Sequence, residues 1–158
     1  LFKKAMDIDK TNLQYLQNYG NALYYMGDFK EAMKEFEHLV LIKGDDAETH
    51  NMVGLCKYKE EDFKGAIQKF TKSIELDPKT KTYFENRAAA REETQDFEGA
   101  ISDYSHSISI SADDPEVFYK RGLLKIHTSK KLEGCMDLGT ANEMGHEEAK
   151  NAIRQNCN

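Results

Sequence analysis

The stretch Asp28-Phe29-Lys30-Glu31-Ala32 returns as Asp62-Phe63-Lys64-Gly65-Ala66 and again as Asp96-Phe97-Glu98-Gly99-Ala100, each copy 34 residues after the last. A fixed period of this length constrains the fold more than any bulk property. It is the signature of helical hairpins that cannot bury an apolar face alone and therefore stack on one another. The faithful copies predict scaffold, and binding information is expected where the copies differ.

Around the recurring stretch the apolar residues follow a helical period. Leu16, Tyr19, Leu23 and Met26 recur at three- and four-residue steps before Gly27-Asp28, where glycine permits the turn and Asp28 is placed to cap the next helix. That second helix carries Phe29, Ala32, Met33, Phe36, Leu39 and Val40 on one face and ends near Gly44. The pattern predicts repeats at residues 11–46, 47–80 and 81–114, with Val53, Gly54, Cys56, Ala66 and Phe70 in the second and Ala88, Ala100, Ile101 and Tyr104 in the third. Asp77-Pro78 is a stop signal, because proline disfavours helical geometry in the residue before it.

Both ends depart from the pattern. Residues 115–145 keep Phe118, Gly122, Leu138 and Ala141 in register, but the Asp-Phe pair becomes Lys130-Lys131, and Leu132 is expected to take over the aromatic role. Residues 146–158 read as a capping helix with Ala149, Ala152 and Ile153 on one side and Lys150, Arg154 and Gln155 on the other. At the start, Phe2 falls in register with Phe36, Phe70 and Tyr104, so residues 1–10 read as the second helix of a truncated repeat belonging to a longer chain.

Bulk properties exclude several classes. A net charge of −6, from 22 basic and 28 acidic residues, disfavours a nucleic-acid partner, which requires a basic stripe against phosphates. No run of about 18 apolar residues is present, so no membrane span is expected. Cys56, Cys135 and Cys157 are odd in number and lack C-x-x-C spacing; they read as ordinary small residues rather than a disulfide framework or zinc site. His38, His50, His106, His127 and His146 are scattered and read mostly as solvated surface, and the acidic pairs fall at hairpin turns rather than in acid-base constellations. No nucleophilic triad, phosphate-binding glycine loop or H-E-x-x-H motif occurs, so no enzyme, cofactor or metal is expected.

The combination of a small residue (Gly20, Gly54, Ala88, Gly122), then Ala or Gly (Ala32, Ala66, Ala100, Gly134), then an aromatic or Leu (Phe36, Phe70, Tyr104, Leu138) resembles the tetratricopeptide repeat family. Asn18, Gly20, Asn21, Ala22, Tyr24, Gly27 and Asp28 carry the likeness in the first repeat, and the stretch from Gly134 through Ala149 to Cys157 resembles the closing segment of some bacterial members. The resemblance implies an all-α, right-handed superhelical solenoid whose first helices line a concave groove for an extended peptide or protein segment. Groove candidates by that mapping are Gln14, Gln17, Asn18, Asn21, Tyr24 and Tyr25, then Asn51, Leu55, Tyr58 and Lys59, then Glu85, Asn86, Ala89 and Glu93, then Tyr119, Lys120, Leu123 and His127. The family's carboxylate clamp for chaperone tails is not expected, because the matching positions Gln17, Asn21, Met52, Thr82 and Asn86 offer no cation.

Two places where the copies differ stand out. Thr11 to Gly27 holds no charged residue in a chain that is 32% charged, and its tyrosines and amides have the composition of a binding face. Tyr15 and Tyr19 are equally well read as packing on an upstream helix. Arg87 and Arg121 stand where earlier copies have Tyr19 and Val53, and sixteen residues after each lies Asp103 or Asp137; each arginine is predicted to span its hairpin to that aspartate.

The sequence thus predicts a non-enzymatic scaffold for a protein or peptide segment. Two alternatives are self-association of copies through an N-terminal helix exposing Leu1, Phe2, Ala5 and Met6, and service as an accessory domain of a larger protein. Neither partner nor compartment is specified, although a cytoplasmic setting is favoured over a periplasmic one.

Overall fold

A computed structural model describes the backbone of residues 2–157 and the side chains of residues 13–157. The described residues form helices joined by short turns, in two compact units, Leu1–Pro78 and Lys79–Asn158. The first unit contains α1 (Phe2–Met26), α2 (Phe29–Lys43), α3 (Ala47–Lys59) and α4 (Phe63–Leu76). The second contains α5 (Lys81–Glu93), α6 (Phe97–Ile110), α7 (Pro115–His127), α8 (Lys131–Glu143) and α9 (Ala149–Asn156).

Each hairpin is built by the same local chemistry. Asp28, Asp62 and Asp96 stand at the N-caps of α2, α4 and α6 and accept from the backbone N–H of Glu31, Gly65 and Gly99, satisfying donors that a helix start leaves orphaned. The residue before each cap region, Gly27, Glu61, Gln95 or Ser129, has a φ between +62° and +86°. Only the first copy uses glycine there, so the three others hold a left-handed conformation that L-residues adopt at a cost.

Inside the hairpins the ring of Phe36 or Phe70 fills the space that a small residue leaves. A Cβ on Gly20 would meet the Phe36 ring at 2.8 Å, and one on Gly54 would meet the Phe70 ring at 2.6 Å. In the first unit Leu23, Ala32, Phe36, Val53 and Cys56 form one apolar core, with Phe29 and Tyr24 packed on it. In the second unit Ala88, Ala100, Ile101, Tyr104, Val117 and Leu124 form the equivalent core. Phe29, Phe63 and Phe97 sit edge-on to Tyr24, Tyr58 and His127 respectively, so the recurring aromatic ties each hairpin turn to a neighbouring first helix.

Several expectations need correction. Leu132 is 78% exposed and does not replace the recurring aromatic. Lys130 caps α8 without a side-chain hydrogen bond, so this turn lost both halves of the Asp-Phe device. The expected boundary after residue 10 is not a break: α1 runs without interruption from Phe2 to Met26, consistent with the absence of any Gly or Pro before Gly20. The exposed end proposed for Leu1, Phe2, Ala5 and Met6 lies outside the described side chains. Cys135 and Cys157 are not independent small residues; they form a disulfide. Their 22-residue separation spans a helical hairpin, which closes on itself and brings distant positions together without any short cysteine motif.

Candidate functional site

In the first unit the uncharged stretch lies on α1, sending Leu23 into the core and leaving Asn18, Tyr19 and Tyr25 exposed. Tyr24 is half-buried against Phe29, 5.4 Å between ring centroids, and burial pushes its hydroxyl above the ordinary tyrosine range. Tyr25 follows it edge-on at 5.8 Å and is 85% exposed. One ring is therefore fixed to the hairpin and holds the next toward solvent. Gln17 and Asn21 are half-buried beside them, and Asn18 is exposed and accepts from the Gln14 amide at 3.0 Å. Tyr15 and Tyr19 stack at 5.9 Å with both rings exposed.

On α3, which like α1 packs against α2, the expected groove residues diverge. Lys59 is exposed, Tyr58 is half-buried against Phe63 at 5.3 Å, and Asn51 is only 7% exposed. Asn51 thus sits inside the unit, not on an open face. Nearby Lys30, Met33, Lys34, Lys57, Glu60 and Asp62 line a shallow cleft whose charges answer one another, Lys30 to Glu60 at 3.4 Å and Lys57 to Asp62 at 2.9 Å.

In the second unit the corresponding helices are occupied with internal polar contacts. Arg87 donates from Nε to Asp103 Oδ2 at 2.9 Å and from Nη2 to Oδ1 at 2.7 Å, so the arginine–aspartate pair the sequence predicts forms, and it is two-pronged. Arg121 does the same to Asp137 at 2.8 and 2.7 Å. Sequence reasoning missed the third member of each cluster: Arg91 Nη1 donates to Asp103 Oδ2 at 2.8 Å, and Lys125 Nζ lies 2.9 Å from Asp137 Oδ2. The signal was present, because the phase holding Leu23 in the first copy becomes Lys57, Arg91 and Lys125. The Asp103 side chain is 2% exposed, so burial of its charge is offset by three charge-assisted donors.

A second exchange was also missed. Where the earlier copies pair Tyr24 with Phe36 and Tyr58 with Phe70, the third has Glu92 and Tyr104. The Tyr104 hydroxyl, buried in the core, donates to Glu92 Oε1 at 2.6 Å. Burial raises the Glu92 carboxyl above its ordinary range despite that bond, and burial raises the Tyr104 hydroxyl too. Asn86 and Tyr119 are half-buried, Tyr119 stacking on His146 at 4.2 Å, and Lys120 lies 3.4 Å from Glu116.

Most of the histidines are solvated, as expected: His38, His106 and His127 are exposed, the latter two with a ring against Phe84 and Phe97. His50 departs from the expectation, buried with Nε2 3.0 Å from Asp45 Oδ1. Among the described residues no group of three or more His, Cys, Asp or Glu side chains could hold a metal ion. No helix among them is long and apolar enough to cross a membrane.

These repeated hairpins, joined by capped turns and interlocking rings, define an all-α helical-repeat protein. Residues 13–46 and 47–80 match the family model described as tetratricopeptide repeat, and the all-α fold of the chain is similar to that of solved tetratricopeptide-repeat proteins. The crystal structure of MamA matches with a TM-score of 0.82 at 19% identity, over 94% of this chain and 87% of its own. YrrB, a tetratricopeptide protein with an unusual peptide-binding site, matches with a TM-score of 0.79 at 17% identity, over 97% of this chain and 80% of its own. A tetratricopeptide protein from Parabacteroides merdae matches with a TM-score of 0.80 at 19% identity, over 87% of this chain and 55% of its own. No curated protein matches the chain in sequence.

Proposed function

We propose that the chain is a protein-interaction scaffold that receives an extended peptide segment on the uncharged face of α1, with Gln17, Asn18, Asn21, Tyr24 and Tyr25 as principal contacts. The observation that carries this reading is the tyrosine pair. Tyr24 is immobilised on Phe29 while Tyr25 remains 85% exposed in a stretch without charge. A flat ring held by a rigid neighbour gives contact area at small entropic cost, and amides on the same helix match a peptide's backbone donors and acceptors. Lys59 and Tyr58 on α3 extend the face. Asn86, Tyr119 and Lys120 belong to the second unit, where they offer a more charged surface of their own. The peptide-binding site of YrrB, a protein of the same fold, supports the ligand class.

The reading is tested by panning a random peptide display library on the intact chain and measuring the enriched peptides on variants. Tyr25→Ala with Asn21→Ala should weaken binding by at least tenfold while leaving thermal unfolding within about a degree, since Tyr25 contributes little buried area. Enriched peptides that bind the double variant as tightly as the parent would overturn it.

A further inference from the structure

We infer that the Cys135–Cys157 disulfide is a redox latch on the terminal helix, holding α9 closed over the second unit under oxidising conditions and releasing it when reduced. The helix itself is weakly founded. With eight residues it is below the length at which an isolated helix persists in water, and its N-cap, Glu148, makes no side-chain capping bond. Its buried side chains are Ala149 and Ala152, methyl groups whose apolar burial is small, and Ala149 meets Phe118 and Ala141 in a minor apolar cluster.

The attachments are distributed unequally along α9. In the turn just before it, His146 stacks on Tyr119 and places Nε2 2.7 Å from Glu116 Oε2, while its buried Nδ1 has no hydrogen-bond partner. At its end Cys157 follows the last turn directly, its N–H donating to the Ile153 carbonyl at 2.9 Å, and the disulfide joins it to Cys135 on α8 with 5.8 Å between Cα atoms. The covalent link is thus the strong restraint on the C-terminal half of this helix.

Chemistry favours a reversible event. Both Cys135 and Cys157 are half-buried rather than enclosed, within reach of a small dithiol. A thiolate of the dithiol attacks one sulfur of the pair, the S–S bond breaks, and the leaving cysteine thiolate takes a proton. The dithiol's second thiolate then displaces the mixed disulfide. The protein gains two electrons and two protons, and the dithiol becomes a disulfide. The third cysteine does not scramble the pair, because Cys56 is fully buried in the other unit's core and burial pushes its thiol up to about 12. A bond of this kind forms in an oxidising compartment and is opened by transfer to a reducing one.

Hydrogen exchange read by mass spectrometry on the intact chain, with and without dithiothreitol, tests the latch. Protection of residues 149–156 should fall on the order of 100-fold on reduction, with α5 to α7 unchanged. Cys135→Ser combined with Cys157→Ser should reproduce the loss in the absence of reductant, and alkylation of the denatured, unreduced chain should modify Cys56 alone. Three alkylated thiols without reduction, unchanged protection of α9, or a loss spread equally over the whole second unit would each overturn the proposal.

Discussion

The two units use one hairpin plan with opposite interiors. In the first, Val53 and Phe70 fill the position between helices with apolar volume, and the tyrosines Tyr24 and Tyr58 pack over Phe29 and Phe63. In the second, the same phases hold Arg87 and Arg121 bound to Asp103 and Asp137, and Glu92 accepting from Tyr104. The backbone turn, the capping aspartate and the recurring aromatic persist through most of this exchange. The repeat therefore specifies a geometry, and the chemistry filling it is exchanged in complete sets. A partial set would leave a buried charge or hydroxyl unanswered, which costs more than either complete version.

The sharpest way to break this comparison is to remove one member of a set. Asp103→Ala removes the buried carboxylate that Arg87 and Arg91 share, while Arg91 keeps the Gly99 carbonyl and Asp96, and should cost about 3 kcal/mol in urea unfolding. Replacing the set together, with Arg87→Val, Arg91→Lys and Asp103→Lys to copy Val53, Lys57 and Lys69, should recover most of that loss. Failure of the transplant to recover it would show that the two interiors are not interchangeable.

Next in size is the hydroxyl exchange. Tyr104→Phe leaves Glu92 without its donor and should cost about 1 kcal/mol. The pH dependence has a definite sign. Because burial raises the Glu92 carboxyl in the folded chain, its contribution is fully present below the unfolded carboxylate range and is lost as pH rises through the higher folded value. Glu92→Gln keeps an acceptor for Tyr104 without the charge, so its stability relative to the parent should improve from pH 4 to pH 7. A constant difference across that interval in denaturant melts would refute the assignment.

The smallest effect concerns the turns, where only the first copy has glycine. Glu61→Gly should stabilise the first unit by roughly 0.5–1 kcal/mol, because its φ of +62° suits glycine. Gly27→Ala should destabilise by a similar amount at φ +86°.

The helical frame was legible because period, glycine and aspartate act locally, so boundaries follow from residues within one turn of each other. The Arg87–Asp103 and Arg121–Asp137 pairs were legible for a different reason: both partners change in the same two copies. Arg91 and Lys125 escaped notice because a lysine already stood at that phase in Lys57, where it answers Asp62 instead. The Glu92–Tyr104 bond was hidden because phenylalanine and tyrosine look alike as core rings, and only the hydroxyl distinguishes them. The disulfide was illegible from spacing, since its closure depends on how α8 and α9 fold back, and the burial of Asn51 depends on packing that an exposed-face pattern does not encode.

Cys56 offers a use that its burial creates. It is the free thiol among the described residues, enclosed in the core of the first unit, while the paired cysteines lie in the second. A thiol raised to about 12 and shut away from solvent reacts with an alkylating reagent only when its surroundings open. In the oxidised chain the rate of single-site labelling therefore times the opening of the first unit alone, without an added probe. Run with and without a bound peptide, that clock would report how far occupation of the α1 face stiffens the hairpin behind it.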